Sequence, residues 1–538
     1  MNKKTVIKSL VGSAVGTAGA IVLKNKAKEF LSSEENKRML MDKGDVIAHR
    51  IVQKLADRVS DKGIPYLNRY DNEGYLEGSG YFLSEPKTDA KWSVGFAKSS
   101  IIPEKWNGDL YIGGYLAFPP NKANGILNDQ LIRAVAFDDN SGRGINVFAV
   151  VDCIGISNAD IRTIRSRLKN LINDKNIVSI NISATHCHSG VDTQGIWGDL
   201  IKAVKTNPKA IKQGRTDDTV SGKNKDFMEN LFSVAAKTIE EAVLNMKEGK
   251  LSFATLDGSM FVRDKRAPYI TDNTLLSLKF EPKDKSKTVQ AVFLAAHPVC
   301  YGSRQREISS DFPYYICEEF EKNGFEAMFF QGAEAAVATN RGYNMPEGLT
   351  WMEGIAEYGR TIARFVLDSD KALYKEIEPM LNVKVNEILL PSGNSVLELA
   401  GKLRLVNNNM TKVAGDGDDY DLYFASELGY AEFGKALKLV MVPGEMIPEI
   451  LTGGAFDSSV SYNGTDWEFP AMREIVDGHL SAIGLCNDAI GYIVPDNDFG
   501  SVFAPEHYEE AVSAGGKTAS NIMSAFIRLL DAAEKIRY

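Results

Sequence analysis

Short apolar runs alternate with longer helical patterns through the middle of this sequence, and that alternation most restricts what it can fold into. Residues 147–151, 177–182 and 289–295 are mostly Val, Ile, Ala, Leu and Phe over strand length, whereas 158–171 and 226–245 repeat apolar positions at helical spacing. Strands of that kind interleaved with helices give an α/β architecture. The 538 residues suffice for a large core. An earlier stretch, 32–62, is charged and helical, with Ile47, Ile51, Leu55 and Val59 at four-residue intervals forming one apolar stripe expected to pack on the main domain. Residues 63–91 read as an irregular connection, and 407–421, with Gly415 and Gly417 among aspartates, as a surface loop or hairpin. The chain divides on this reading into a leading segment 1–31, an extension 32–91 and a catalytic domain 92–538.

Charge and cysteine usage remove several classes of function. A formal net charge of −9 without a Lys/Arg-rich block argues against nucleic acid as a partner, because phosphate backbones require clustered basic surface. The five cysteines, Cys153, Cys187, Cys300, Cys317 and Cys486, are scattered and form no CxxC pair, so they read as small buried hydrophobes. At the start, Lys3, Lys4 and Lys8 precede the uncharged stretch 9–23, and Lys24 and Lys26 follow it, the pattern of an export or anchoring segment. That stretch is shorter than the roughly 20 residues of a membrane-crossing helix, and Gly12, Gly16 and Gly19 dilute it. Ala18-Gly19-Ala20 has the character of a processing site. Retained anchor, cleaved leader and glycine-rich terminal helix all remain open. The first two place the protein at or beyond a membrane.

The sharpest local feature is Ser183-Ala184-Thr185-His186-Cys187-His188-Ser189-Gly190, directly after the apolar run 177–182. Residues two apart on an extended chain share a face, so His186 and His188 can reach one centre. His297 also follows an apolar run and is succeeded by Pro298, which stops the strand. Neutral imidazole is a common metal ligand, and zinc accepts nitrogen and oxygen donors with one position left to water. Glu445, in the turn Pro443-Gly444-Glu445 after the apolar run 439–442, supplies a carboxylate. Nitrogen and oxygen donors also serve other divalent metals.

His186-Cys187-His188-Ser189-Gly190, His297-Pro298-Val299, Pro443-Gly444-Glu445 and Gly484-Leu485-Cys486-Asn487 through Tyr492 resemble, in the same order, the motifs of the neutral/alkaline non-lysosomal ceramidases. The resemblance runs from about Trp92 to Ile536. It implies mixed β-sheets with flanking helices, and zinc ligands at His186, His297, Glu445 and Tyr492. By the same likeness His188 stands beside the metal water, and Arg266, in Arg266-Ala267-Pro268, matches the active-site arginine, the pair serving the oxyanion or the leaving amine. Asp152 and Asp311 match acidic positions that orient ligands, although strand-end or helix-cap roles account for them equally well. Tyr492 is singled out by the resemblance alone.

The sequence also departs from that family. Where a Gly-Asp-x-Ser-Pro-like segment is typical, it reads Gln331-Gly332-Ala333-Glu334-Ala335-Ala336-Val337, with no serine and with Glu334 as the available acid. The chain ends soon after Glu509-Glu510-Ala511, so no C-terminal immunoglobulin-like domain is expected. The implied activity is hydrolysis of the amide bond of an N-acylated, ceramide-like lipid or small molecule to a fatty acid and an amine, by attack of metal-bound hydroxide. A zinc esterase or lactonase on the same site and a non-catalytic, membrane-anchored binding homologue are the alternatives.

Overall fold

Among the described residues two large β-sheets pack face to face, with helices on both outer surfaces. The computed structural model describes residues 33–70, 72–342, 346–415, 419–454 and 457–538. The basic-flanked segment around 9–23 lies outside them. Among the described residues no helix is long and apolar enough to cross a membrane.

The larger sheet contains β1 (Trp92–Ser100), β2 (Leu131–Asp138), β3 (Ile145–Val151), β4 (Ile177–Ala184), β5 (Lys247–Asp257), β6 (Thr274–Pro282), β7 (Val289–Leu294) and β8 (Glu326–Gln331). Their order is β8-β7-β6-β5-β1-β2-β3-β4, and the two-residue strand Lys375–Glu376 on β5 makes the sheet nine-stranded. Its two ends are parallel pairs, β7 with β8 and β3 with β4, and the strands between them run antiparallel. The second sheet, β9 (Leu381–Pro391), β10 (Asn409–Ala414), β11 (Tyr420–Phe433), β12 (Leu437–Met441) and β13 (His479–Ile483), has the order β9-β11-β12-β13 with β10 beside β11. Here β12 and β13 form the parallel pair. Within the stretch 407–421, residues 409–414 and 420–421 belong to two paired strands, β10 and β11.

Seven helices matter for the layers: α1 (Glu34–Ala56), α2 (Asn158–Arg167), α3 (Lys225–Leu244), α4 (Asp311–Lys322), α5 (Trp351–Leu367), α6 (Ser395–Lys402) and α7 (Thr518–Lys535). The helical pattern at 158–171 is broken at Leu168 into α2 and a second short helix, Lys169–Lys175. Ser157 and Asn224 cap α2 and α3 by accepting the Asp160 and Phe227 N–H groups, each satisfying a donor that the helix leaves unpaired. The α3 residues Phe227, Leu231, Ala235 and Ile239 bury against Ala97, Ala134, Ala136 and Ala149 of the larger sheet. Helices α4 and α5 cover its other half, and α7 covers the second sheet. Between the sheets, Trp92 stacks on Phe433 at 6.1 Å, and its indole donates to the Ile377 carbonyl.

The N-terminal helix packs the opposite way from its apolar stripe. Ile47, Ile51 and Leu55 are 59%, 57% and 46% exposed, while Ala56 is fully buried and Val52 half-buried. The face turned inward carries Gly44, Ala48, Val52 and Ala56, a second four-residue repeat made of small residues. Small side chains let a helix approach its support closely, and Gly44 lies against the Phe503 ring. Val59, expected on the stripe, is buried because the helix has ended before it.

A buried ion cluster ties the layers together. Arg165 of α2, 1% exposed, places Nη1 at 3.0 and 2.9 Å from the two Glu427 oxygens of β11, donates Nε–H to the Ile180 carbonyl of β4, and reaches Asn487 through Nη2. Arg162 shares the same carboxylate. Removing one member of a buried pair leaves an uncompensated charge, which costs about 3–5 kcal/mol. Glu427→Ala is therefore expected to lower unfolding stability by about that amount in urea titrations; an unchanged midpoint would show that the cluster does not join the layers.

Candidate metal centre

Each candidate ligand lies just beyond the C-terminal end of a strand belonging to one of the parallel pairs. His186 follows β4, His297 follows β7, Glu334 follows β8 and Glu445 follows β12, so the pairs direct their loops toward one place. Carboxyl ends of parallel strands are where α/β sheets place their ligands. The histidine pair does not continue β4 as extended chain. The strand ends at Ala184, and His186 takes a left-handed backbone conformation with φ +65°. Thr185 and Cys187 nevertheless donate to the Val151 and Cys153 carbonyls, which keeps the loop registered on β3. Ala336, Leu485 and Asn487 are also left-handed non-glycine residues, so strain of about 1 kcal/mol or more apiece gathers in the loops around this centre.

The three imidazoles meet through Nε2. His186 Nε2 lies 2.9 Å from His297 Nε2 and 3.0 Å from His188 Nε2. On the other side of each ring, Nδ1 faces a backbone carbonyl: Ile154 for His186 at 2.7 Å, Gly114 for His188 at 3.1 Å, and Glu334 for His297 at 3.3 Å. A carbonyl accepts only, so each Nδ1 carries the hydrogen and, in a neutral ring, each Nε2 presents a lone pair. Burial above all holds His188 and His297 well below the usual histidine range, which keeps them neutral. Three lone pairs about 3 Å apart repel unless a cation lies among them.

Carboxylates complete the convergence. Glu445 Oε2 is 3.1 Å from His186 Nε2 and 3.5 Å from His297 Nε2. Tyr492 pairs directly with Glu445 in the parallel bridge Glu445–Met446 with Tyr492–Ile493, and its ring stacks over His297 at 6.4 Å. Glu334 is fully buried with neither carboxylate oxygen hydrogen-bonded; burial and then the Glu445 charge push it well above the ordinary range. His186, His188 and His297 form one set of mutually close donor atoms, and His186, Glu334 and Glu445 form another. Bare imidazole nitrogens with buried, unpartnered carboxylate oxygens are the donor chemistry a divalent cation of the zinc type requires. The residues therefore fit a metal.

Arg266 is not brought to the imidazoles. Its guanidinium, 3% exposed, is enclosed by Asp498, Glu509 and Glu510, so its N–H groups are already engaged. That cluster fixes the segment carrying Tyr508, whose ring packs edge-on against Tyr492 at 5.8 Å. Asp152 accepts from Arg133 and the Leu131 N–H, as a strand-end acid would. Asp311 accepts the Cys300 N–H and so holds the turn after His297. All five cysteines are buried and unpaired.

One organising residue, Gln331, gives no signal in the sequence beyond its place at the end of β8. Its buried amide exchanges hydrogen bonds with the Ala296 N–H and carbonyl and donates to the Thr185 carbonyl, while its backbone carbonyl takes the Gly484 N–H. The loops bearing His186, His297 and Tyr492 are thereby fastened to one side chain and its peptide.

No family model matches the sequence, and no curated protein matches it. Solved structures do match the backbone. The neutral ceramidase from Pseudomonas aeruginosa superposes with a TM-score of 0.59 at 14% identity, covering 84% of this chain and 76% of its own. The chain has the neutral ceramidase fold. A ceramidase complexed with C2 gives 0.61 at 14% identity, covering 83% and 76%. Within this ceramidase fold, the His186–Glu445 cluster faces a cavity also lined by Gly114, Trp197 and Ile490. Gly114, with φ +107°, permits that approach, since a Cβ there would lie 2.5 Å from His188 Nδ1.

Just beyond Glu445, Glu449 is 3% exposed, and burial, reinforced by Asp264 and Asp498, pushes its carboxyl up to about 8 against an ordinary 4.5. A raised folded-state pKa contributes stability that is complete below the unfolded value and lost as pH rises through 8. Glu449→Gln is expected to remove a stability slope approaching about 1.4 kcal/mol per pH unit between pH 5 and 8. Parallel urea-midpoint profiles for variant and wild type would refute this.

Proposed function

We propose that this protein is a zinc-dependent hydrolase that cleaves the amide bond of an N-acylated, ceramide-like substrate, giving a fatty acid and an amine. The observation carrying this reading is the convergence of three Nε2 lone pairs with the Glu445 carboxylate at the mouth of a cavity. When bound, zinc supplies a Lewis acid that polarises the scissile carbonyl and lowers the pKa of water toward 7. The ligands in this reading are His186, His297, Glu445 and Tyr492.

His188 is the proton carrier. The Gly114 carbonyl fixes its Nδ1–H, so Nε2 is the basic atom, and the depressed pKa leaves that atom free to accept a proton at neutral pH. It takes the proton from the attacking water and returns it to the amine nitrogen as the C–N bond breaks. Water attacks the carbonyl carbon directly, because 332–337 contains no serine and Ala335 stands beside Glu334. Arg266, enclosed by carboxylates, supports the Tyr508 and Tyr492 side of the site.

The cavity walls favour a lipid-like acyl group. Ile154, Ile196, Trp197, Leu397, Phe424 and Ile490 surround the imidazoles. A second, largely apolar cavity of about 440 Å³ shares Ile196, Leu397 and Val512 with the first and is closed on one side by Ala48 and Val52 of α1. The basic-flanked segment 9–23 supports placing the activity at or beyond a membrane.

Wild-type protein loaded with zinc is expected to release fatty acid from a short-chain fluorescent ceramide. His188→Ala should keep its metal while kcat falls by about 10²–10⁴-fold. Leu397→Trp should raise KM for long N-acyl chains more than for N-acetyl analogues. Zinc-loaded protein that cleaves chromogenic esters but no N-acyl amide would overturn the amide assignment.

A further inference from the structure

The loop after β8 contains a carboxylate for which the four-ligand reading has no use. Glu334 is fully buried, and both of its oxygens lack a hydrogen-bond partner. Its backbone is committed to the site: the Glu334 carbonyl receives His297 Nδ1–H at 3.3 Å and the Val337 N–H at 2.8 Å. Its side chain points the same way, because one carboxylate oxygen lies within 4.8 Å of both a His186 ring nitrogen and a Glu445 oxygen. Opposite it stands Gly484, where a Cβ would meet Glu334 Oε2 at 2.9 Å and the Gly332 carbonyl at 2.5 Å. The glycine thus keeps open the space that the carboxylate occupies. An acid that served only to fill the core would be costly here, since it leaves two buried carboxyl oxygens without a hydrogen-bond partner.

We propose that Glu334 is a further ligand of the metal, so that the cation is held by two imidazoles, His186 and His297, and two carboxylates, Glu445 and Glu334, with Tyr492 beside them. The inference rests on the reading of this centre as a metal site and is independent of the bond that the protein cleaves. Two carboxylates balance the charge of a divalent cation, where one leaves a net positive charge. An added oxygen donor also moves the ligand set toward harder metals, so manganese(II) gains relative to zinc. The acid stands in the segment that departs from Gly-Asp-x-Ser-Pro, making this departure a change in how the metal is held.

The test is metal binding by full-length Glu334→Gln, with zinc and manganese(II) as the probes, measured by chelator competition and by metal content after dialysis. The amide is isosteric, and the melting temperature of the metal-free variant reports whether it folds. At least a roughly tenfold weaker affinity for both metals is expected, that being the low end of what even supporting residues cost, with the larger loss for manganese. X-ray absorption on zinc-loaded wild-type protein provides a reading that needs no variant: a carboxylate-rich shell with more than the four light-atom ligands His186, His297, Glu445 and Tyr492 is expected. Unchanged affinity in a folded variant, a four-ligand shell in the wild type, or a wild type that binds neither metal would overturn the proposal. Failure to hydrolyse any N-acyl amide would overturn the activity and leave this result standing.

Discussion

Electron pairs with no hydrogen between them set the terms for this structure. Carbonyls at Ile154, Gly114 and Glu334 claim the Nδ1 hydrogens of the three histidines, so their Nε2 lone pairs converge at about 3 Å together with a Glu445 oxygen. Such donors are held in place only where the surrounding backbone is over-determined. That accounts for the left-handed residues His186, Ala336, Leu485 and Asn487, each at a bend where a relaxed strand end would let the donors separate.

The restraint comes from both sheets. Gln331 fastens the loops after β4, β7 and β13 to the end of β8, and Asn487 accepts from the Ile182 N–H and from Arg165. Arg165 in turn is locked to Glu427 in the second sheet. Gly491 serves the same end at the scale of a single atom: with φ +84°, a Cβ would fall 1.7 Å from the Val512 carbonyl, while its own carbonyl receives the Glu445 N–H. The ligand-bearing loops are thus held by buried polar contacts, whose replacement by apolar packing would free the donors to move apart.

Much of this was legible in the sequence because it follows local rules. The apolar runs at 147–151, 177–182 and 289–295 became β3, β4 and β7, the helical pattern at 226–245 formed where its periodicity placed it, and that at 158–171 formed as two helices meeting at Leu168. The convergence of His186, His188, His297 and Glu445 was readable because each follows a short apolar run. What escaped is non-local. Gln331 acquires its contacts only when strands far apart in sequence align, and the carboxylates that enclose Arg266, those of Asp498, Glu509 and Glu510, lie more than 200 positions after it. His186 and His188 converge through a left-handed turn, where the two-residue period of an extended strand had suggested a simpler route.

Helix α1 shows most clearly where periodicity stops being informative. It carries two four-residue repeats, one of Ile47, Ile51 and Leu55 and one of Gly44, Ala48, Val52 and Ala56, and burial chose the smaller. Large side chains on the inner face would have filled the space between α1 and α6. Small ones leave the apolar cavity of about 440 Å³ that shares Ile196, Leu397 and Val512 with the cavity at the imidazole cluster. Filling that cavity would stabilise the fold through added contacts, at about 25 cal/mol per Å² of apolar surface covered. Keeping it open forgoes that gain. The small inner face of α1 and the apolar cavity beside it are thus one feature, set by which of the two repeats the helix buries.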